Sequence, residues 1–177
     1  MTATYRHVSL LIVFVLAVTL IGQPPAAAQP GTIVFQTNLD GYHETPLSIS
    51  TNGIGAFRAQ LNSAETELEY ELTYANLEGG NTLFAHVHIG QAGTTGGVMF
   101  FLCGGGGKPA CPNSPATVTG TVNASNVIGP SGQGVGPGEF AEAIRAMRNG
   151  AAYANVHTVV YPSGEIRGQI NEAGLHR

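Results

Sequence analysis

The chain has 177 residues, with 25 glycines, 10 prolines, no tryptophan, only 10% charged residues and a formal net charge of −4 at pH 7. A single lysine, Lys108, and no basic run exclude the electrostatic footprint of a nucleic-acid binder or of a protein drawn to anionic membrane surfaces. Few charges, abundant Gly and many Thr, Val and Ala suit short strands joined by tight turns.

The first segment reads as a targeting signal. Arg6 and His7 precede an apolar run from Val8 to Ile21, Pro24 and Pro25 break it, and Ala26 to Ala28 offer small residues for a peptidase. The run is shorter than the roughly 20 apolar residues a membrane span needs, and no second such run follows. The expectation is a secretory signal over residues 1–28, cleavage near Ala28, and no stable membrane anchor. One domain of ordinary size then occupies residues 29–177.

Strand signals follow in order. Thr32 to Asn38 is the first, and the turn at Asp40-Gly41 leads into Tyr42-His43-Glu44-Thr45-Pro46. Asn52-Gly53 turns the chain into Ile54 to Leu61. Thr66 to Tyr74 shows the clearest period of two, with Leu68, Tyr70, Leu72 and Tyr74 on one face and Glu67, Glu69 and Glu71 on the other. That glutamate row reads as a solvated face. Leu83 to Ile89, Val98 to Cys103 and Ala116 to Val122 continue the series. Asn123-Ala124-Ser125 fits the N-glycosylation pattern, which matters only in a eukaryotic secretory pathway. One helix is expected, Glu139 to Asn149, with Phe140, Ile144 and Met147 on a buried face and Gly150 as its stop. Ala152 to Val159 and Glu165 to Ile170 flank a turn at Tyr161-Pro162-Ser163-Gly164. Many short strands and one helix near the C-terminus define an all-β chain, an antiparallel Greek-key sandwich or barrel.

Cys103 and Cys111 bracket a glycine run. In an oxidising compartment one disulfide closes this loop, and the absence of further thiolates or a CxxC spacing argues against a cysteine metal site. Four histidines deserve weighing. His86 and His88, two apart on a strand, point to one side and can meet one ion. His157 lies in a second strand-like segment, and His43 in the loop after the first strand. Converging, they would make an imidazole site suited to copper or zinc. The other reading is a polar corner in which the same rings bond to backbone.

Ala85-His-Val-His-Ile-Gly90 with Ala92-Gly93, then Asn155-Val-His-Thr158, then Pro162-Ser-Gly-Glu-Ile-Arg-Gly-Gln169, resemble the CHRD domain, named from chordin. Glu44-Thr45-Pro46 is similar to the family's opening, and the resemblance spans roughly Thr32 to Ile170. It implies an immunoglobulin-like or related all-β fold and an extracellular setting, without an established activity. Chordin's growth-factor ligand is not carried over, since fold likeness does not transfer function.

The His-x-His pattern with a later histidine is also similar to the copper ligands of copper–zinc superoxide dismutases, which are β-sandwiches. Asp40 is the only Asp in the chain, so a dismutase-type zinc subsite looks incomplete. Arg167 has two open roles, a local positive group or a surface cation paired with Glu165 or another carboxylate. Glu44 and Glu165 sit in motifs that read as structural turns. There is no nucleophile elbow and no phosphate loop, so no residue is assigned a catalytic role. The expectation is a secreted, non-catalytic binding module with a histidine metal site, its partner an unidentified extracellular protein or matrix ligand. A copper redox protein and a purely structural adhesion domain are the alternatives.

Overall fold

Alternation of apolar and polar residues dictates the strands, and their pairing wraps them into a nearly closed antiparallel barrel. The structure is a computed structural model and describes residues 33–174. The expected signal segment 1–28 lies outside the described residues. In chain order the elements are β1 (Ile33–Asp40), β2 (Ile54–Leu61), β3 (Glu67–Ala75), β4 (Thr82–Ile89), β5 (Val98–Cys103), β6 (Ala116–Asn123), α1 (Phe140–Arg148), β7 (Ala152–Thr158), β8 (Ile166–Gln169) and β9 (Asn171–Glu172). The strands pair in the order β5-β4-β7-β8-β1-β2-β3-β6, and β9 adds to β1. Every pairing is antiparallel.

The period of two in β3 decides which face is inside. Leu68 and Leu72 are fully buried, Tyr70 and Tyr74 nearly so, and Glu67, Glu69 and Glu71 are exposed. Phe35 and Leu39 of β1, Phe57 of β2, Val87 of β4 and Phe100 of β5 fill the same interior. Each such side chain removed from water contributes about 1.5–3 kcal/mol before the entropy of ordering is counted. The helix presents Phe140, Ala143, Ile144 and Met147 to this core, within a residue of its expected bounds at each end.

The end strands β5 and β6 are not paired with each other, and the cysteine loop spans the seam between them. Cys103 at the end of β5 is disulfide-bonded to Cys111, with a Cα–Cα distance of 5.0 Å. From β3, Tyr70 Oη donates to the Leu102 carbonyl at 2.7 Å and Tyr74 Oη to that of Pro112 at 2.5 Å. Lys108 Nζ donates to the Thr121 carbonyl of β6. Crosslink and hydrogen bonds thus do at the seam what a strand ladder does elsewhere.

Candidate metal centre on the outer face of the barrel

The same alternation that sends Ala85 and Val87 of β4 inward sends His86 and His88 outward. On β7, Ala154 and Val156 face the core, so Tyr153, Asn155 and His157 share the outer face. Strand register brings the two sets together. Phe84 pairs with His157, His86 with Asn155 and His88 with Tyr153, while Asn155 and Tyr153 pair onward with Arg167 and Gln169 of β8. An outer barrel face is normally wet, yet His86, His88 and His157 are only 6%, 9% and 7% exposed.

Two distant segments cover it. After β1, Asp40 caps a 3₁₀ turn, Gly41–His43, by accepting from the amides of Tyr42 and His43. The chain beyond lays Glu44 and Thr45 against β7 and β8: Asn155 Nδ2 donates to Glu44 Oε1 at 2.5 Å, and Arg167 Nη1 donates to Thr45 Oγ1. After β4, residues 90–97 fold back so that the Gly97 carbonyl accepts from Ile89 N at 3.0 Å. A Cβ on Gly96 would lie 1.6 Å from the Ile89 carbonyl oxygen, so only glycine permits this approach.

The three imidazoles then converge. The His86 ring centroid is 4.5 Å from that of His88 and 4.4 Å from that of His157. One ring nitrogen from each residue lies within 4.8 Å of the others. His88 Nδ1 is 2.9 Å from the Gly96 carbonyl oxygen and His157 Nδ1 is 3.0 Å from that of Pro162. A carbonyl oxygen only accepts, so each Nδ1 carries the proton and each neutral ring keeps a lone pair on Nε2. Both Nε2 atoms, and Nδ1 of His86, are buried with no hydrogen-bond partner. Fixing a ring through its far N–H is the support that metal-binding histidines use.

Electrostatics keep the rings neutral. Burial pulls the His86 pKa down to about 2, helped by the nearby His157 and His88. Burial also lowers His88 to about 4, against the opposing Gly96 bond and with smaller help from His157 and Arg167. His157 is lowered by burial, opposed by its bond to Pro162. Neutral imidazoles are the form that ligates metal without first releasing a proton.

His43 is not brought to this group. Its side chain is 66% exposed and its Nδ1 lies 2.8 Å from Asp40 Oδ1. Asp40, engaged there, builds no second subsite. Among the described residues, the His86–His88–His157 group is the one cluster of three or more His, Cys, Asp or Glu with metal-ligand spacing.

Arg167 corrects the surface-cation reading. It is 2% exposed and hydrogen-bonds to no carboxylate; Nη2 donates to the Gln91 carbonyl at 3.2 Å and the guanidinium carbon sits 3.5 Å from the Tyr153 ring centroid. Tyr153 stacks in turn on His88, centroids 4.5 Å apart and planes 6° from parallel. Glu165 is fully buried on other duty. Its carboxylate accepts from the amides of Glu78 and Gly79 at 2.6 and 3.0 Å, and from Thr51 Oγ1 and Thr158 Oγ1, both at 2.8 Å. It clamps the turn before β4, which agrees with its reading as a structural turn residue.

Sequence reasoning missed the cover, and it missed Tyr153 and Asn155 of β7, which had the same two-residue step as His157 to mark them. Glu44 is 5% exposed, and burial raises its pKa to about 7 against the lowering influence of Asn155 and Arg167.

These features define an all-β barrel with a buried three-histidine cluster on its outer wall, roofed by two loops. The family model of the CHRD domain matches residues 35–170, and the chain belongs to that family. The Glu44, His86, Asn155 and Arg167 motifs all fall inside the match, and in the structure they form one connected neighbourhood. No curated protein and no solved structure matches the chain significantly. The likeness to dismutases therefore rests on the histidine pattern alone.

Proposed function

We propose that this chain is a secreted CHRD-domain binding module that holds one copper or zinc ion through His86 Nδ1, His88 Nε2 and His157 Nε2, without a catalytic duty of its own. The observation that carries the reading is the convergence of three buried, unpartnered ring nitrogens, two of them in rings oriented by backbone carbonyls. Each unsatisfied buried group costs about 1–3 kcal/mol, and a shared ion would satisfy all three at once. Bound copper or zinc would supply Lewis acidity there, and copper also one-electron chemistry.

Secretion is supported by the order of basic start, apolar run and small-residue break in residues 1–28, and by the paired Cys103 and Cys111. Among the described residues, no helix is long and apolar enough to cross a membrane.

The test is elemental analysis and copper and zinc titration of the purified protein, repeated with His86→Ala and His88→Ala. The reading requires about one ion per chain and a loss of at least tenfold in affinity in each variant. Equal binding by wild type and variants would leave a polar structural corner in an adhesion domain. Tight copper binding followed by superoxide turnover would overturn the non-catalytic part.

A further inference from the structure

Whatever ion enters the cluster brings a charge that its ligands do not cancel. All three donors are neutral imidazoles, and no carboxylate or thiolate belongs to the group. The buried carboxyl on this face, Glu44, is engaged by Asn155 at 2.5 Å and is not a member of the group. Arg167 adds a fixed positive charge behind the site. It is buried, has no carboxylate hydrogen bond, and is one ring removed from His88 through the Tyr153 stack. Uncompensated charge in a poorly solvated place is expensive, and the cost rises steeply with its magnitude.

Resting on the three-histidine reading above, we infer that the site selects monovalent copper, Cu(I), over divalent ions. Three nitrogen donors satisfy a small soft cation that accepts three-coordination. Zinc normally takes a fourth ligand; the described residues offer none within the cluster, so a water would have to enter this closed face to complete it. Cu(I) and Zn(II) are both closed-shell d¹⁰ ions, so comparing them removes ligand-field preference, and changing Arg167 at a constant donor set then isolates charge. Arg167 then acts as a specificity-determining residue: it repels Zn(II) twice as strongly as Cu(I). At an effective permittivity of ~20, a unit charge on the order of 10 Å from the ion changes that ratio by roughly ten- to twentyfold.

The experiment uses protein made from the full chain, loaded anaerobically with Cu(I) under ascorbate or with Zn(II), and titrated against chromophoric chelators of each ion. Wild type should hold Cu(I) in preference to Zn(II) at equal free concentrations. Arg167→Met should narrow the gap by roughly ten- to twentyfold, and Arg167→Lys, which keeps the charge, should restore it. Arg167 is buried, so a second variant guards against misfolding. Phe84→Glu adds a negative charge at a 40% exposed position paired with His157, and should also narrow the gap. A Zn(II) preference in wild type, or a gap unmoved by both Arg167→Met and Phe84→Glu, overturns the selectivity while leaving the metal site intact. Failure of every ion to bind better than to His86→Ala overturns the three-histidine reading itself.

Discussion

Acidification tests the burial of the histidine cluster without any metal. In the unfolded chain each histidine titrates near 6.5, whereas in the folded apo protein His86 and His88 sit at about 2 and 4. Between those values the unfolded state binds more protons, so stability is fully present above about pH 6.5 and is lost as pH falls. From pH 7.5 to 5.5 each of these two histidines removes about 1.4 kcal/mol, and His157, also lowered, acts in the same direction. Glu44 opposes them. Its folded pKa is raised to about 7, so the folded state takes up its proton first and regains about 1.8 kcal/mol over the same interval. The histidines outweigh it by at least about 1 kcal/mol, a fall in Tm of roughly 2–4 °C or more for a chain of this size. Differential scanning calorimetry of chelator-treated protein at the two pH values measures it. Glu44→Gln should deepen the fall, because the opposing proton uptake is gone. A Tm that is flat or rises on acidification would refute the claim that the three rings are buried and neutral together.

Other perturbations probe the supports. Replacing both cysteines, Cys103→Ser with Cys111→Ser, should cost about 2.5 kcal/mol by loop-closure entropy, read as a lower urea midpoint. Gly164→Ala should cost about 1–3 kcal/mol in the same assay, since φ is +128° there and the new Cβ would lie 2.5 Å from Glu44 Oε1. Glu165→Ala strands four donors and should destabilise by at least about 3 kcal/mol; faster amide exchange at Glu78 and Gly79 would localise the loss. His43→Ala should leave metal affinity within about twofold of wild type by titration, because an exposed ring bonded to Asp40 gives the cluster nothing.

Local pattern made most of the fold legible. The alternation in Thr66 to Tyr74 anticipates β3 to within one residue, and the 3.6-residue spacing of Phe140, Ile144 and Met147 anticipates α1. The sequence left sandwich and barrel both open, because register between distant strands leaves no local trace; the strand order decides for the nearly closed barrel. The short strand β9 was not visible either. The expected strand Glu165 to Ile170 is β8, whereas β9 lies just beyond it and exists only through its pairing with Phe35 and Gln36. At the site, His86 and His88 were legible from spacing alone. The placement of Arg167 was not, since its burial depends on Thr45 and Gln91, which lie 122 and 76 residues away in sequence. His43 misled for the opposite reason: proximity to a motif says nothing about direction, and the cap at Asp40 turns its ring outward.

The polar roof explains why the separated motifs occur together in one chain. Asn155 sits beside His86 in the ladder and also holds Glu44; Arg167 sits beside Asn155, holds Thr45, and backs the Tyr153 ring that packs on His88. Gly96 donates its N–H to Tyr153 Oη at 3.2 Å while its carbonyl fixes His88. Removing any of these contacts frees a neighbour of the cluster, so the loops, the stack and the imidazoles form one coupled unit. Such a unit is an expensive way to finish a barrel wall that short apolar side chains would seal. Its three orphaned nitrogens recover nothing from the protein itself, and that imbalance is what a bound cation would remove.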